Sequence, residues 1–203
     1  MNQTARWVLG GSIAIVAALS FAFAQQPTRV RGTVEKVEGS TVTVRSGEAN
    51  EVKLNLTDGA QVYGVVKASV ADIKPGVYVG VGAMPQTDGS QKALHVHIFL
   101  DAMRGVAEGF GPWDVRPNST MTNATVDTTV TGTDGRTLTL KYKDGEKKII
   151  VPPDAPIVKY VPGNKDALKP GAKIFIVAAA KQPDGTLEAP NVSVGLDGLT
   201  PPM

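Results

Sequence analysis

Residues 60–76 read AQVYGVVKASVADIKPG, and residues 155–171 repeat the same layout as APIVKYVPGNKDALKPG. Both segments place a short apolar stretch before a Lys-Pro-Gly signal, and in both the interval from the first alanine to the last glycine is sixteen residues (76 − 60 and 171 − 155). The agreement continues downstream, where Asp-Gly dipeptides at 88–89 and 184–185 each close a turn. A chain that carries the same unit twice is expected to fold into two similar units.

Both units have the sequence pattern of β-structure. Residues 41–44 and 137–140 alternate polar with apolar side chains, which is the period of a half-buried strand. Residues 69–73 and 164–168 each begin with a capping residue and are stopped by Pro-Gly, which is typical of a single helical turn. Strands, one short helical turn and two further strands are the order of an OB-like small barrel. A duplicated β-sandwich is the alternative.

We therefore predict an all-β protein of two tandem OB-like small β-barrels with one short helical turn each. The first barrel is expected at residues 28–102 and the second at 122–197. A linker rich in Gly and Pro, residues 103–121, would join them, and residues 198–203 would form a disordered tail.

The first 24 residues have the pattern of a Sec-type signal peptide. Arg6 precedes an apolar run, and Ala22-Phe23-Ala24 forms a small-x-small site that predicts cleavage after Ala24. The alternative is an uncleaved membrane anchor, since the run is close to the roughly 20 residues that span a bilayer. The chain contains no cysteine, so an exported form would rely on burial rather than on disulfides. These features indicate a bacterial periplasmic or secreted protein without a membrane attachment after cleavage.

Charge and motifs exclude several classes of protein. The chain has 21 basic and 19 acidic residues, and they alternate rather than cluster, so nucleic acid is not an expected partner. No Gly-x-Ser-x-Gly elbow or phosphate-binding loop is present, and no histidine lies near a special serine. The sequence therefore predicts a protein that is not an enzyme and has no catalytic residues.

The only two histidines, His95 and His97, lie two residues apart on a predicted strand. Alternation places both rings on one face, and a strand-borne H-x-H pair is a ligand spacing for zinc or copper. Asp101 and Glu108 are the candidates for a third ligand, with Met84 or Met103 suited to a cuprous ion. The other interpretation is a solvated polar face, because the second unit has Asn191 and Ser193 at the corresponding positions.

The linker contains a second group of candidate functional residues. Phe110, Trp113 and Asp114 lie in a Gly/Pro-rich segment that has no counterpart in the repeat, although flexible linkers are usually polar. A tryptophan in such a loop either covers the open end of a barrel or contacts a partner or ligand.

The Leu/Ile-Lys-Pro-Gly signal, the valine-rich strand after it, the Asp-Gly turn and the alanine before the last strand resemble a family of uncharacterised exported bacterial domains. That family is described as a domain of unknown function with an OB-like barrel, often in tandem, and the resemblance covers nearly all of residues 28–197. Residues 103–124 also resemble a segment of exported alphaproteobacterial proteins in which a histidine precedes Pro-Trp-Asp. This chain has Phe110-Gly111 there instead. The resemblance implies the fold and implies no activity.

These observations together predict a non-enzymatic exported protein that binds or scaffolds an unknown periplasmic protein or small ligand without a cofactor. The inter-barrel groove and the Trp113 loop would form its binding surface. The alternative is a periplasmic zinc- or copper-binding protein that uses His95 and His97.

Overall fold

A computed structural model describes residues 27–47, 50–132 and 135–203, and these form strands joined by turns and three 3-10 turns. The predicted signal peptide lies outside the described residues. Within them the strands are β1 (Thr28–Glu38), β2 (Thr41–Ser46), β3 (Asn50–Lys67), β4 (Tyr78–Pro85), β5 (Gln91–Ile98), β6 (Gly109–Pro112), β7 (Thr120–Gly132), β8 (Gly135–Tyr142), β9 (Gly145–Val151), β10 (Ile157–Pro162), β11 (Lys173–Lys181) and β12 (Leu187–Gly195). The 3-10 turns are Val70–Asp72, Asp101–Met103 and Lys165–Ala167.

The first barrel is a closed ring of five strands. β1, β2 and β3 pair antiparallel in order, β11 pairs antiparallel with β1, and β12 pairs antiparallel with β11 and parallel with β3. Its interior is filled mainly by valine, leucine and isoleucine side chains that alternate along each strand. A closed ring of this kind has no free edges, so the fold is a barrel rather than the sandwich considered above.

The second barrel closes in the same strand order. β7, β8 and β9 pair antiparallel, β4 pairs antiparallel with β7 and with β5, and β5 pairs parallel with β9. The last pairing is short and joins Gln91 and Lys92 to Ile149 and Ile150. A second apolar core fills this ring.

Each barrel therefore takes three strands from one half of the chain and two from the other. The boundaries expected at 28–102 and 122–197 do not coincide with the barrels, because β4 and β5 complete the ring of β7–β9 while β11 and β12 complete the ring of β1–β3. The residue directly after each of the 3-10 turns at 70–72 and 165–167 also lies in the barrel of the other half. Ile73 is buried in the second core and Leu168 in the first. Sequence alternation specifies which face of a strand is buried but not which strand pairs with it.

The Lys-Pro-Gly signals attach each half to the opposite barrel. The amide of Gly76 donates to the carbonyl of Val126 at 2.8 Å, and the amide of Gly171 donates to the carbonyl of Val34, also at 2.8 Å. Both glycines have positive φ, 86° and 89°, a conformation that other residues adopt at a cost. The helical turn predicted before each signal is present as a 3-10 turn, and in the first of them the Asp72 carboxylate accepts from both the amide and the hydroxyl of Ser69.

The two barrels meet where β3 pairs antiparallel with β10. In this pairing Val65 lies opposite Tyr160, and the surrounding pairs, such as Lys67 with Val158 and Tyr63 with Pro162, extend equally in both directions. β10 also pairs parallel with β5, as β3 does with β12. The strands on the two sides of the Val65–Tyr160 pair are thus arranged about an approximate two-fold axis.

The linker and the C-terminal tail, of which only the tail was expected to be disordered, both form defined structure. In the linker, β6 pairs with the first residues of β7, and a 3-10 turn precedes it. The tail predicted to be disordered folds back: the amide of Leu199 donates to the carbonyl of Leu196 at 2.9 Å, and the side chain of Met203 is only 2% exposed. Both segments are ordered because they contribute apolar side chains, Trp113 and Met203, to the contact between the barrels.

We expect a cut between the two halves of the chain to leave the protein assembled. A protease site inserted after the exposed Gly105 would produce two fragments, each of which supplies strands to both barrels. The cut protein should therefore elute with the uncut protein in size-exclusion chromatography and separate only in denaturant. Separation of the fragments in native buffer would contradict the strand exchange.

Candidate functional site

A third apolar cluster lies between the two barrel cores. Val65, Val158, Tyr160, Phe175 and Met203 form its buried part. Phe175 alternates with Ile174 and Ile176, whose side chains fill the first barrel, so its ring lies on the outside of that barrel. The cluster thus joins the outer faces of the two barrels.

Beside this cluster is a cavity of about 800 Å³. Its wall combines aromatic and thioether side chains with small residues and several polar or charged groups. Volumes of 300–1,000 Å³ with such a lining are usual for small-molecule sites. The residues that decide its chemistry are Arg29, His97, Tyr160, Trp113, Asn123 and Ser193.

The predicted histidine pair lies on the outer face of the second barrel. Val96 and Ile98 point into the core, while the imidazoles of His95 and His97 face the contact between barrels and stack with ring centroids 5.8 Å apart. Both side chains are buried, at 1% and 5% exposure, so the solvated face considered above is wrong. Leu94 has no partner where the pairing of β4 with β5 shifts register, and this bulge separates the histidines from Ala93, which faces the core.

The two candidates for a third metal ligand do not converge on the histidines. The Asp101 side chain is 99% exposed and lies 3.4 Å from Arg104, and the Glu108 carboxylate accepts a hydrogen bond from the Lys143 amide. Among the described residues, no three His, Cys, Asp or Glu side chains are grouped as a metal ion would need. Met103 lines the cavity that His97 also lines, whereas Met84 does not.

Burial keeps both imidazoles neutral. It lowers the pKa of His95 from its ordinary value of 6.5 to about 4, with a further lowering by the charge of Arg31. Burial also lowers the pKa of His97 to well below 6.5, and His95 adds to this effect. The cause is desolvation, which disfavours the charged form of an imidazole that has no carboxylate beside it.

Two glycines on β4 make room for the histidine rings. Gly80 lies opposite His97 and Gly82 opposite His95. A Cβ atom on Gly80 would lie 2.0 Å from Nε2 of His97, and one on Gly82 would lie 2.2 Å from Cε1 of His95. Any residue larger than glycine at position 80 or 82 would displace these rings.

At the equivalent position of the first barrel, the aromatic ring lies on the other strand of the pair. There the cross-strand pair is Phe175 on β11 with Ser193 on β12, so the ring comes from the strand that corresponds to β4. The pairing of Phe175 with Arg31 likewise matches that of Gly80 with Asn123. One barrel thus presents a histidine beside a glycine, and the other a phenylalanine beside a serine.

Within the part of the chain that the structure describes, several polar atoms at the site have no hydrogen-bond partner. They include Nδ1 of His97, Oδ1 of Asn123 and Nε1 of Trp113, all buried in residues that line the cavity. Asn123 uses its other atom, Nδ2, to donate to the carbonyl of Ala107 at 3.1 Å. Unpaired buried polar atoms are uncommon in proteins and often mark the place of a water molecule or ligand.

The tryptophan of the linker packs against the outer face of the first barrel. Its ring lies 6.3 Å from that of Phe175 in an edge-to-face arrangement, and the Arg29 guanidinium lies 4.1 Å above it. The loop is closed by Ser119, whose hydroxyl donates to the carbonyl of Arg116 at 2.7 Å. Trp113 therefore forms a wall of the cavity.

Asp114 and Phe110 have different surroundings. The Asp114 carboxylate accepts from Arg31 at 2.7 and 3.2 Å, and this hydrogen bonding lowers its pKa. Phe110 is 42% exposed at the mouth of the cavity, with Nζ of Lys147 4.3 Å from its ring. Of the three candidates, Asp114 holds the loop in place, while Trp113 and Phe110 line the cavity.

The lining residues that the sequence did not single out include Arg29, Tyr63, Tyr160 and Phe175. Alternation assigns each of them to an outward face, where aromatic residues are easily read as ordinary surface. A comparison of the halves could have found some of them, because Tyr160 stands where the first half has Val65, and Phe175 where it has Gly80. Where one half has a small residue and the other has an aromatic ring, the corresponding surfaces of the two halves differ.

We expect Gly80→Ala to destabilise the protein by about 1–3 kcal/mol, because the added methyl group overpacks the His97 ring. Gly111→Ala is the matched control, since a Cβ there has nothing within 4 Å. Adding His97→Ser to Gly80→Ala should recover part of the loss by removing the ring that clashes. Urea unfolding of the native protein, Gly80→Ala, His97→Ser, the double variant and Gly111→Ala measures this coupling, and equal effects of Gly80→Ala and Gly111→Ala would contradict the packing described.

We expect stability to fall between pH 6.5 and 4. An unfolded histidine binds a proton near pH 6.5, whereas His95 in the folded protein does so only near pH 4, so the unfolded state binds more protons throughout this window. The loss from His95 should be about 2 kcal/mol between pH 7 and 5, and His97 acts in the same direction. The lowered pKa values of Asp72, Asp88 and Asp184 act at lower pH.

Urea unfolding at pH 7 and pH 5 measures this loss in the native protein and in His95→Asn, which copies Asn191. The variant should lose markedly less stability on acidification, whatever its stability at pH 7. An unchanged difference between the two pH values would show that His95 does not titrate as described.

Comparison with protein families, with curated proteins and with solved structures gives no match to this chain. Within the described residues, no helix has the length and apolar character needed to cross a bilayer.

Proposed function

We propose that this is an exported, non-enzymatic binding protein of two OB-like barrels, and that it binds a small, largely apolar molecule in the cavity between them. The observation that carries the proposal is a cavity of about 800 Å³ with an aromatic wall and unpaired polar atoms in its lining residues. A pocket that combines a large apolar surface with a few polar groups is the usual form of a small-molecule site.

The surroundings of the cavity support this assignment. Val106, Phe110 and Val177, three of the exposed large apolar residues, also line it, at 42–50% exposure. Apolar side chains at an opening favour the entry of an apolar molecule, because binding removes them from water. A bacterial periplasmic or secreted location agrees with the signal-like residues 1–24 and with the absence of cysteine from the sequence.

The order of strands supports the OB-like description. In each ring the first three strands form a meander, the fifth strand pairs parallel with the third, and the fourth returns to the first. The pairing of Thr33 with Lys173 and of Tyr78 with Thr125 occurs at corresponding places of the two halves. We infer an internal duplication in which the copies have exchanged their last two strands.

A metal ion is the alternative occupant. No carboxylate converges on His95 and His97 in the described part of the chain, so ligation would have to use His97 with a thioether such as Met103, a set that suits a cuprous ion better than zinc. The histidines are neutral, which is the form that binds a metal.

We expect the neutral dye N-phenyl-1-naphthylamine to bind with a rise in its fluorescence, and Asn191→Phe to weaken this binding at least ~10-fold by filling the cavity with a ring. Asn50→Phe, at an exposed position outside the cavity, is the matched control. If the dye binds both variants as it binds the native protein, the cavity is not the site.

The same samples distinguish the metal alternative. Equilibrium dialysis against Zn²⁺, and against Cu⁺ under reducing conditions, should give no stoichiometric binding if the cavity serves organic molecules. One equivalent of metal, lost in His95→Ala/His97→Ala, would instead favour the metal site.

A further inference from the structure

The cavity has an asymmetric distribution of charge. Arg29 is the only lysine or arginine among its lining residues, while Glu108 and Asp144 lie in its lining near Phe110 and Tyr142. Arg29 lies on β1, and the approximate two-fold axis relates its position to that of Met121 on β7. The first barrel thus supplies a cation where the second supplies an apolar side chain.

Arg29 is held in place by the Trp113 ring and by one long ion pair with Asp114, a carboxylate that it shares with Arg31. Its guanidinium stacks on the Trp113 ring at 4.1 Å, a contact that leaves the N–H groups in the guanidinium plane free to donate. The nearest carboxylate, Asp114, is engaged by two hydrogen bonds from Arg31 and lies 3.6 Å from Arg29. Among the described residues, Arg29 makes no side-chain hydrogen bond, so its N–H groups can donate to an anion.

The acidic side of the cavity is less suited to a cation. The Glu108 carboxylate already accepts from the Lys143 amide at 3.0 Å, and Nζ of Lys147 lies beside Phe110. Asp144 lies in an exposed turn, and the Arg29 side chain is itself 34% exposed, so water screens both charges. Arg29 differs from the two carboxylates in that the Trp113 ring holds its guanidinium at the cavity.

The rest of the wall is suited to a flat apolar group. Phe99 and Tyr160 are nearly parallel, with 16° between their planes and 5.6 Å between centroids, and His97 meets both rings edge-on. Offset and edge-to-face contacts with such rings favour an aromatic ligand beyond the area that it buries.

We propose that the cavity binds a small aromatic carboxylate, with the carboxylate held by Arg29 and the ring packed against Phe99 and Tyr160. This inference rests on the proposed function, since it names the ligand class of the same cavity. A charge-assisted hydrogen bond between arginine and carboxylate supplies the preference for an anion.

Three probes with one ring system and different charge test the ligand class. 1-Naphthaleneacetate, 1-naphthaleneethanol and 2-(1-naphthyl)ethylamine are titrated into the protein by isothermal calorimetry. We expect the carboxylate to bind at least ~10-fold more tightly than the alcohol, and the amine to bind most weakly. Equal affinities, tightest binding of the amine, or no binding of any probe would each overturn the aromatic carboxylate.

Variants assign the preference to Arg29. Arg29→Met copies the other half of the chain at Met121 and should bind acid and alcohol equally, while Arg29→Lys should retain part of the preference. Arg45→Met is the matched control, because Arg45 pairs with Glu35 on the surface of the first barrel. A preference that survives Arg29→Met would refute the role of Arg29.

The proposed function can fail separately, because the dye N-phenyl-1-naphthylamine carries no charge. If the dye binds the cavity and the three probes do not differ, the cavity is a ligand site but not one for carboxylates. If the dye does not bind and no probe binds, both proposals are wrong.

Discussion

The pairing of β3 with β10 is the contact on which the rest of the molecule depends. At its centre Val65 lies opposite Tyr160, and from this pair the two strands run in opposite directions. The segment that follows β3 therefore lies next to the second barrel, and the segment that follows β10 lies next to the first. In the first half a 3-10 turn places Ile73 in the second core, and in the second half another places Leu168 in the first core. The two strands after each turn complete the barrel of the other half.

This arrangement binds the two halves more strongly than a linker would. A tandem pair of contiguous barrels would share only the surface between them. Here two strands of each ring belong to the other half, so the interiors of both barrels are shared. Removing either half would leave three strands with an open edge and an exposed apolar face, which is a poor state for a soluble chain. We therefore expect the halves to fold together, and the walls of the cavity to be set before any ligand arrives.

The sequence predicted the parts that depend on local patterns. Alternation at Thr41–Val44 gave a strand, and the Lys-Pro-Gly signals ended the turns before Gly76 and Gly171, because these features need only neighbouring residues. Strand partners could not be predicted in this way. The alternation of Val79 and Val81 with Gly80 and Gly82 on β4 is the same whether β4 joins the first ring or the second, so only the whole arrangement selects the partner.

The site shows the same division. The pairing of His95 and His97 on one face was predicted correctly, because the period of a strand determines it. Their burial was not predicted, because it depends on Gly80 and Gly82 on the neighbouring strand β4 and on the first barrel, which covers the rings. The linker was recognised as unusual from Trp113, yet its contact with Arg29 joins residues from distant parts of the chain.

Under the proposed duplication, the cavity beside the two-fold axis is a favourable place for the protein to acquire specificity. While the two halves are identical, every wall residue occurs twice and the cavity is symmetric, which suits few ligands with distinct ends. A change in one half then alters one side only. Gly80 beside His97 against Phe175 beside Ser193, and Met121 against Arg29, are changes of this kind. They place a neutral polar ring on one wall and a cation on the other, while both barrel cores keep the same pattern of apolar residues. These differences between the halves lie outside the two barrel cores, and they suit the proposed ligand with one charged and one apolar end.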